Sequence, residues 1–138
     1  ACFDRSRIAP AEIDAVICCN ICRYDAPNLG VTFEPSTAAQ LCGLFDMRRA
    51  LAFDVNNACA GMFTGTLVAE DLLQSGVVRN VLVVSGEYIS HLCRTAQQTI
   101  ESNFDSRIPC HTLGDAGAAI ILSAGANRGF GLQHLELC

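Results

Sequence analysis

The chain has 138 residues, 51% of them hydrophobic and only 17% charged, which excludes a disordered tail and favours one well-filled domain or a piece of one. Nine arginines, no lysine and 14 acidic residues leave a net charge of −5, which argues against a broad nucleic-acid or anionic-membrane surface. No apolar run reaches the roughly 18 residues that a membrane helix needs.

The opening segment, residues 1–16, begins at Ala1 and reads like the interior of a longer protein. Glu12 to Asn20 is a short apolar run bounded by polar residues, the pattern of a buried strand. Residues 23–34 carry Pro27, Asn28 and Gly30 and predict a loop. A helix is expected from Pro35 to about Leu44, with Ser36 or Thr37 near its cap. Arg49 to Val55 predicts a second strand. Ala58 to Ser75 has helical spacing and ends at Gly76, a residue suited to the left-handed position after a helix. Its internal Gly61 and Gly65 would each cost about 1 kcal/mol against alanine, so close packing against another backbone is expected to offset them. This helix is expected to be buried, with only its Glu70-Asp71 end reaching water.

Asn80 to Gly86 is rich in β-branched residues and predicts a strand covered on both faces. Residues 88–112 are more polar and less regular, a long loop or loop-helix segment. Gly114 to Ser123 predicts a small-residue turn running into a strand, and Gly129 to Leu137 one further strand. Strands alternating with helices predict an α/β layered fold.

The nine cysteines have no framework spacing, and several sit in apolar runs where the residue behaves as a small hydrophobe. A chain able to build a core does not need a disulfide scaffold, so a reducing, cytoplasmic compartment is expected. Cys19 and Cys22 form a C-x-x-C, but the pair ends a strand rather than opening a helix, and no second ligand pair follows. Packing at the strand end is the expected role, with no metal.

Cys59 differs from the rest. It lies where the strand ending Phe53-Asp54-Val55 gives way to the helix, and is expected within the first helical turn. Free backbone N–H groups and the positive end of the helix dipole meet at such a place and favour a thiolate. The same N–H groups suit a developing oxyanion, and Ala58, Ala60 and Gly61 leave room for a substrate carbonyl. The competing reading is that one of nine cysteines falls on a junction by chance.

Phe53-Asp54-Val55-Asn56-Asn57-Ala58-Cys59-Ala60-Gly61, followed by the helix and by Ser75-Gly76-Val77-Val78-Arg79-Asn80-Val81-Leu82-Val83-Val84, resembles the nucleophile region of β-ketoacyl-acyl carrier protein synthase III. Pro35-Ser36-Thr37-Ala38-Ala39-Gln40-Leu41 resembles that family's helix just upstream. Leu113-Gly114-Asp115-Ala116-Gly117-Ala118-Ala119-Ile120-Ile121-Leu122 resembles its glycine-rich stretch, with Ala116 in place of a usual glycine. The resemblance implies a thiolase-like half-domain, a layered mixed sheet with helices on both faces and a buried nucleophile helix. Residues 1–138 would then be part of the N-terminal half, without its opening strand and without the C-terminal half.

The resemblance also implies a chemistry. Cys59 would take an acyl group from acyl-coenzyme A, and malonyl-acyl carrier protein would then be condensed onto it, in fatty acid or polyketide biosynthesis. No cofactor is implied, since coenzyme A enters as substrate. The family's His and Asn partners lie in the second half, and His91, His111 and His134 match none of its motifs, so packing or surface roles are expected for them. Arg107 stands where the family has an arginine on the adenine of coenzyme A, with an ordinary solvated arginine as the competing reading. Glu34, beside Phe33, stands where many synthases carry a large apolar residue reaching into the partner's acyl pocket. Either Phe33 takes that place, or the pocket accepts something other than a plain fatty acyl chain, or Glu34 is a solvated loop residue. Asp115 is expected to bond nearby backbone N–H groups, with no catalytic part. A homodimer across Asn80–Gly86 is implied too. The rivals are transfer of the acyl group to an alcohol or amine without condensation, and a non-catalytic dimerisation scaffold.

Overall fold

The computed structural model describes residues 2–25 and 30–125. The strand expected over Gly129–Leu137, and His134 within it, lie outside the described residues.

Four strands form one mixed sheet in the order β4-β1-β5-β6. β1 (Ala15–Cys18) lies between β4 (Leu51–Asp54) and β5 (Asn80–Glu87) and runs parallel to both. β6 (Ala116–Ser123) runs antiparallel to β5 along its whole length. Every residue of β1 is buried, as expected of a short apolar run with a helical layer on each face. Within it Ala15 and Ile17 point to one side, and Val16 and Cys18 to the other.

The first side packs under α3 (Gly61–Gln74), which buries Ala69 with Val78, Val81 and Val83. The second side packs under α2 (Thr37–Leu44), where Ala38 meets Ile13, Met47 and Leu82. A short α1 (Cys2–Arg5) adds Phe3 to that side. The α/β architecture with helices on both faces is therefore the one expected.

Three expectations are corrected. The loop over 23–34 contains a two-residue hairpin, β2 (Tyr24–Asp25) against β3 (Gly30–Val31). The polar segment after β5 is, by contrast, the loop-helix segment expected: α4 (Ser90–Thr99) is followed by a 3₁₀ turn over Ile108–Thr112 that packs on it. α3 is not a fully buried helix. Only Gly61, Gly65 and Ala69 are buried, a stripe spaced by one helical turn, while Phe63 on the outer face is 61% exposed. A helix lying on a sheet buries one stripe, and its low charge here does not extend that stripe. Finally, β5 cannot carry a strand-to-strand dimer across Asn80–Gly86, because β1 and β6 pair with it on its two sides. Among the described residues the free edges of the sheet belong to β4 and β6.

The helix ends follow local chemistry. The Ser36 hydroxyl accepts from Ala39 N–H at 3.2 Å and caps α2. Gly76, at φ 74°, takes the left-handed position after α3 and donates to the Leu73 carbonyl.

Asp115 bonds backbone N–H groups, but distant ones. Its Oδ1 accepts from Ile89 and Ser90 N–H, and its Oδ2 from the Ser90 hydroxyl, which caps α4 from 25 residues away. These bonds hold its carboxyl below the usual carboxylate range.

Candidate active site

The carboxyl ends of the parallel strands β4, β1 and β5 face the same way, and in open α/β sheets ligands bind beyond such ends. Three connections meet there. After β1, the Asn20 side chain donates to the Gly86 carbonyl at 2.7 Å and accepts from Gly86 N–H at 2.8 Å, which ties the end of β1 to that of β5. Glu87 accepts from the N–H of Ile21 and of Cys22 and from the Cys22 thiol. After β4, the Asn56 side chain donates to the Ile21 carbonyl at 3.2 Å. The turn carrying Cys59 is thereby stapled to the loop that follows the central strand.

Cys59 occupies a 3₁₀ turn, Ala58–Ala60, that leads directly into α3 at Gly61. It stands before the first α-helical turn rather than within it, because α3 begins at Gly61 and not at Ala58, and it is exposed. Ala58 is held at φ 42°, a conformation that costs an alanine roughly 1–2 kcal/mol. Strain of this kind collects where a side chain must be presented. The Asn56 Oδ1 accepts from Ala58 N–H at 3.3 Å, a local turn bond that offsets part of the cost.

The helix can begin so close to the sheet because Gly61 and Gly65 have no side chains. A Cβ on Gly61 would lie 2.9 Å from the Cys19 carbonyl oxygen, and one on Gly65 would lie 2.5 Å from the Cys19 sulfur. The close packing expected to offset these glycines is therefore found.

The other cysteines are differently placed. Burial pushes the Cys18 thiol up to about 12 and raises those of Cys19, Cys22 and Cys42. Cys19 packs at the strand end as expected, whereas Cys22 is held by the Glu87 carboxylate rather than by apolar packing. Among the described residues no three His, Cys, Asp or Glu side chains converge as a metal site.

Phe33 is 68% exposed, and Glu34 beside it is exposed as well. The Arg23 guanidinium lies 6.0 Å from the Phe33 ring, donates to the Phe33 carbonyl and pairs with Asp54 at 3.0 Å. Asp54 also accepts from the N–H of Thr37 and Ala38. This last residue of β4 thus joins the start of α2, the Phe33–Glu34 loop and the strand leading to Cys59. Asp54 has no periodic signal in the sequence that would reveal the role.

Arg107 is not drawn into this network. Its side chain bonds Asp105 and Thr99, and its guanidinium brings the Asp105 carboxyl down to about 2. His91 packs edge-on against Tyr24 at 4.7 Å, with Tyr88 at 5.9 Å, a packing role as expected. His111 is exposed.

A mixed sheet between helical layers, with a cysteine turn feeding the helix on one face, is the fold of the thiolase-like class of enzymes. Cerulenin-bound OleA of Xanthomonas campestris superposes with a TM-score of 0.72 at 25% identity, over 88% of this chain and 36% of that one. The 3-oxoacyl-[acyl-carrier-protein] synthase III of Aquifex aeolicus superposes with a TM-score of 0.65 at 20% identity, over 91% of this chain and 36% of that one.

The chain belongs to the 3-oxoacyl-[acyl-carrier-protein (ACP)] synthase III family, whose family model matches residues 53–138. It is 35% identical over 129 residues to the β-ketoacyl-[acyl-carrier-protein] synthase III of Campylobacter fetus, covering 91% of this chain and 34% of that protein. It is 33% identical over 122 residues to that of a Roseiflexus species, covering 88% of this chain and 32% of that protein. The chain thus spans about a third of the length of the curated relatives it matches. Among the described residues no helix is long and apolar enough to cross a membrane.

Proposed function

We propose that this chain supplies the acyl-accepting half of a synthase III-type condensing enzyme, with Cys59 as the nucleophile. The observation that carries the reading is the exposed Cys59 in a strained turn, just before the N–H groups that open α3. The thiolate of Cys59 attacks the carbonyl carbon of an acyl-coenzyme A. The new C–S bond forms as the bond to the coenzyme's sulfur breaks, and coenzyme A leaves as a thiolate that takes up a proton. The N–H groups at the head of α3 stabilise the oxyanion formed on the way. Malonyl-acyl carrier protein then loses CO₂, and its carbanion attacks the thioester. That attack releases the Cys59 thiolate and yields a 3-oxoacyl-carrier protein.

In this reading residues 1–138 are part of the N-terminal half, and the His and Asn that assist condensation come from the other half. A reducing compartment keeps the thiol free. The homodimer pairs through contacts other than backbone pairing to β5, both of whose edges are taken by β1 and β6.

Arg107 is assigned to the coenzyme. Asp105 and Thr99 fix its flat, half-exposed guanidinium, and a guanidinium held in one orientation is prepared to stack on a base. Arg107→Ala is expected to raise the KM for acyl-coenzyme A with kcat little changed, as measured by steady-state kinetics. An unchanged KM removes the residue from the site.

Phe33 and Glu34 are assigned to the acyl end. The exposed Glu34 carboxylate favours an acyl group with a polar substituent over a plain alkyl chain, because burying an unpaired carboxylate against alkyl carbon is costly. This departure also leaves room for transfer to an alcohol or amine without condensation.

The test is to incubate the full-length protein with radiolabelled acyl-coenzyme A over a range of chain lengths and map the adduct by mass spectrometry. A thioester on Cys59 is expected. An adduct on another residue, or none at any chain length, would falsify the assignment. Adding malonyl-carrier protein should then release CO₂ together with the 3-oxoacyl product. Turnover with a hydroxyl or amine acceptor and no CO₂ would favour the alternative.

A further inference from the structure

We propose that Asn57 and Thr64 form a side-chain clamp that positions Cys59, an inference that rests on reading Cys59 as the acyl acceptor. Cys59 makes no side-chain hydrogen bond among the described residues, so its sulfur is placed by its backbone alone. That backbone is a single 3₁₀ turn with Ala58 in the left-handed region, a conformation that alanine leaves when nothing holds it.

Two side-chain bonds close around the turn. Thr64, on the first turn of α3, donates its hydroxyl proton to the Ala60 carbonyl at 3.2 Å. With its proton committed, the hydroxyl oxygen accepts from the Asn57 side-chain amide at 2.9 Å. One hydroxyl therefore grips the residue before the turn and the last residue of the turn, on either side of Cys59. Inside this bracket Ala60 N–H donates to the Asn57 carbonyl at 2.9 Å. Asn56 anchors the outer end, accepting from Ala58 N–H and donating to the Ile21 carbonyl.

A Thr bonding back to the carbonyl four residues earlier is ordinary in helices. A second bond to the same hydroxyl, across a strained turn that carries an unpartnered thiol, is not required by the helix. Asn57 and Thr64 act through the backbone and touch no reacting atom, so they are positioning residues.

The experiment uses the full-length protein and reads acyl loading of Cys59 alongside hydrogen exchange of the peptide covering the turn. Thr64→Val keeps the shape and removes both bonds. It is expected to slow loading at saturating acyl-coenzyme A roughly tenfold, since small misplacements of a nucleophile are expensive, and to leave KM within about twofold. Exchange at the turn is expected to quicken while the melting temperature stays close to that of the parent. Asn57→Ala, which removes only the Asn57–Thr64 bond, is expected to slow loading by no more than Thr64→Val does, the double variant to be no slower than Thr64→Val alone, and Thr64→Ser to restore loading.

The clamp is overturned if Thr64→Val loads within twofold of the parent. It is equally overturned if the losses of the two single variants multiply in the double. If the unaltered protein takes no acyl group on Cys59, the nucleophile reading itself fails, and the positioning role falls with it.

Discussion

Cys59→Ser is expected to leave the protein folded and to reduce acyl loading by at least about a thousandfold, the scale at which removing a nucleophile acts. Oxygen replaces sulfur in an exposed turn, so almost no packing changes. What changes is the reactive form. An exposed cysteine is partly ionised near neutral pH and its thiolate is intrinsically nucleophilic, whereas a serine hydroxyl stays protonated there without an adjacent base.

The other cysteines supply the controls. With its thiol pushed to about 12 by burial, Cys18 is ionised in roughly one molecule in ten thousand at pH 8. The raised values of Cys19, Cys22 and Cys42 follow from the same loss of hydration. Cys22→Ser, in which the hydroxyl can still donate to Glu87, should therefore load normally. Loading is measured as the fraction of protein that gains the acyl mass. Full loading of Cys59→Ser, or loss of loading in Cys22→Ser instead, would move the chemistry to another thiol.

The parts of this fold that were legible in the sequence are those carried by local pattern. The β-branched run of β5, the apolar run of β1 and the Gly76 stop after α3 each follow from a few adjacent residues and appear close to their expected bounds. The junction before α3 was legible for the same reason, since a strand pattern and a helix pattern abut at Cys59.

What stayed hidden depends on partners distant in the chain. Nothing local in Asn80–Gly86 says that both of its edges are taken, because pairing with β1 and β6 is a property of topology. The apolar, small-residue composition of α3 suggested full burial. Burial is decided by how many layers cover a helix, and here the sheet covers one stripe. Asp115 capping α4, Asp54 joining α2 to Arg23, and Asn57 gripping Thr64 have no periodic signature at all. Each is a polar group whose partner only the folded chain brings near.

The packing that sets α3 on the sheet is tested by Gly65→Ala. In an exposed helix this change would stabilise by about 1 kcal/mol through backbone propensity. Here the new methyl group would lie 2.5 Å from the Cys19 sulfur and 2.9 Å from a Val83 methyl, both in fully packed residues. Overpacking a tight core costs typically 1–3 kcal/mol, and two contacts this short place Gly65 at or beyond the upper end. A net loss of about 2 kcal/mol is expected, a fall in Tm of roughly 4–8 °C for a protein of this order of size. Cys19→Ala added to Gly65→Ala removes the closer contact and leaves the one with Val83, so it should recover part of the loss. Gly43 in α2 provides the opposite case. Beyond its chain neighbours and its own helix backbone, no atom lies within 4 Å of its missing Cβ, so Gly43→Ala should hold or raise Tm. Thermal unfolding of the three variants separates the two effects. If Gly65→Ala were to melt at or above the parent temperature, the helix would not be seated on Cys19 as described. The close approach that places Cys59 at the carboxyl end of the sheet would then need another cause. With the seat intact, Gly65→Ala should also slow acyl loading, because lifting the helix relieves both contacts at once and its first turn follows the nucleophile.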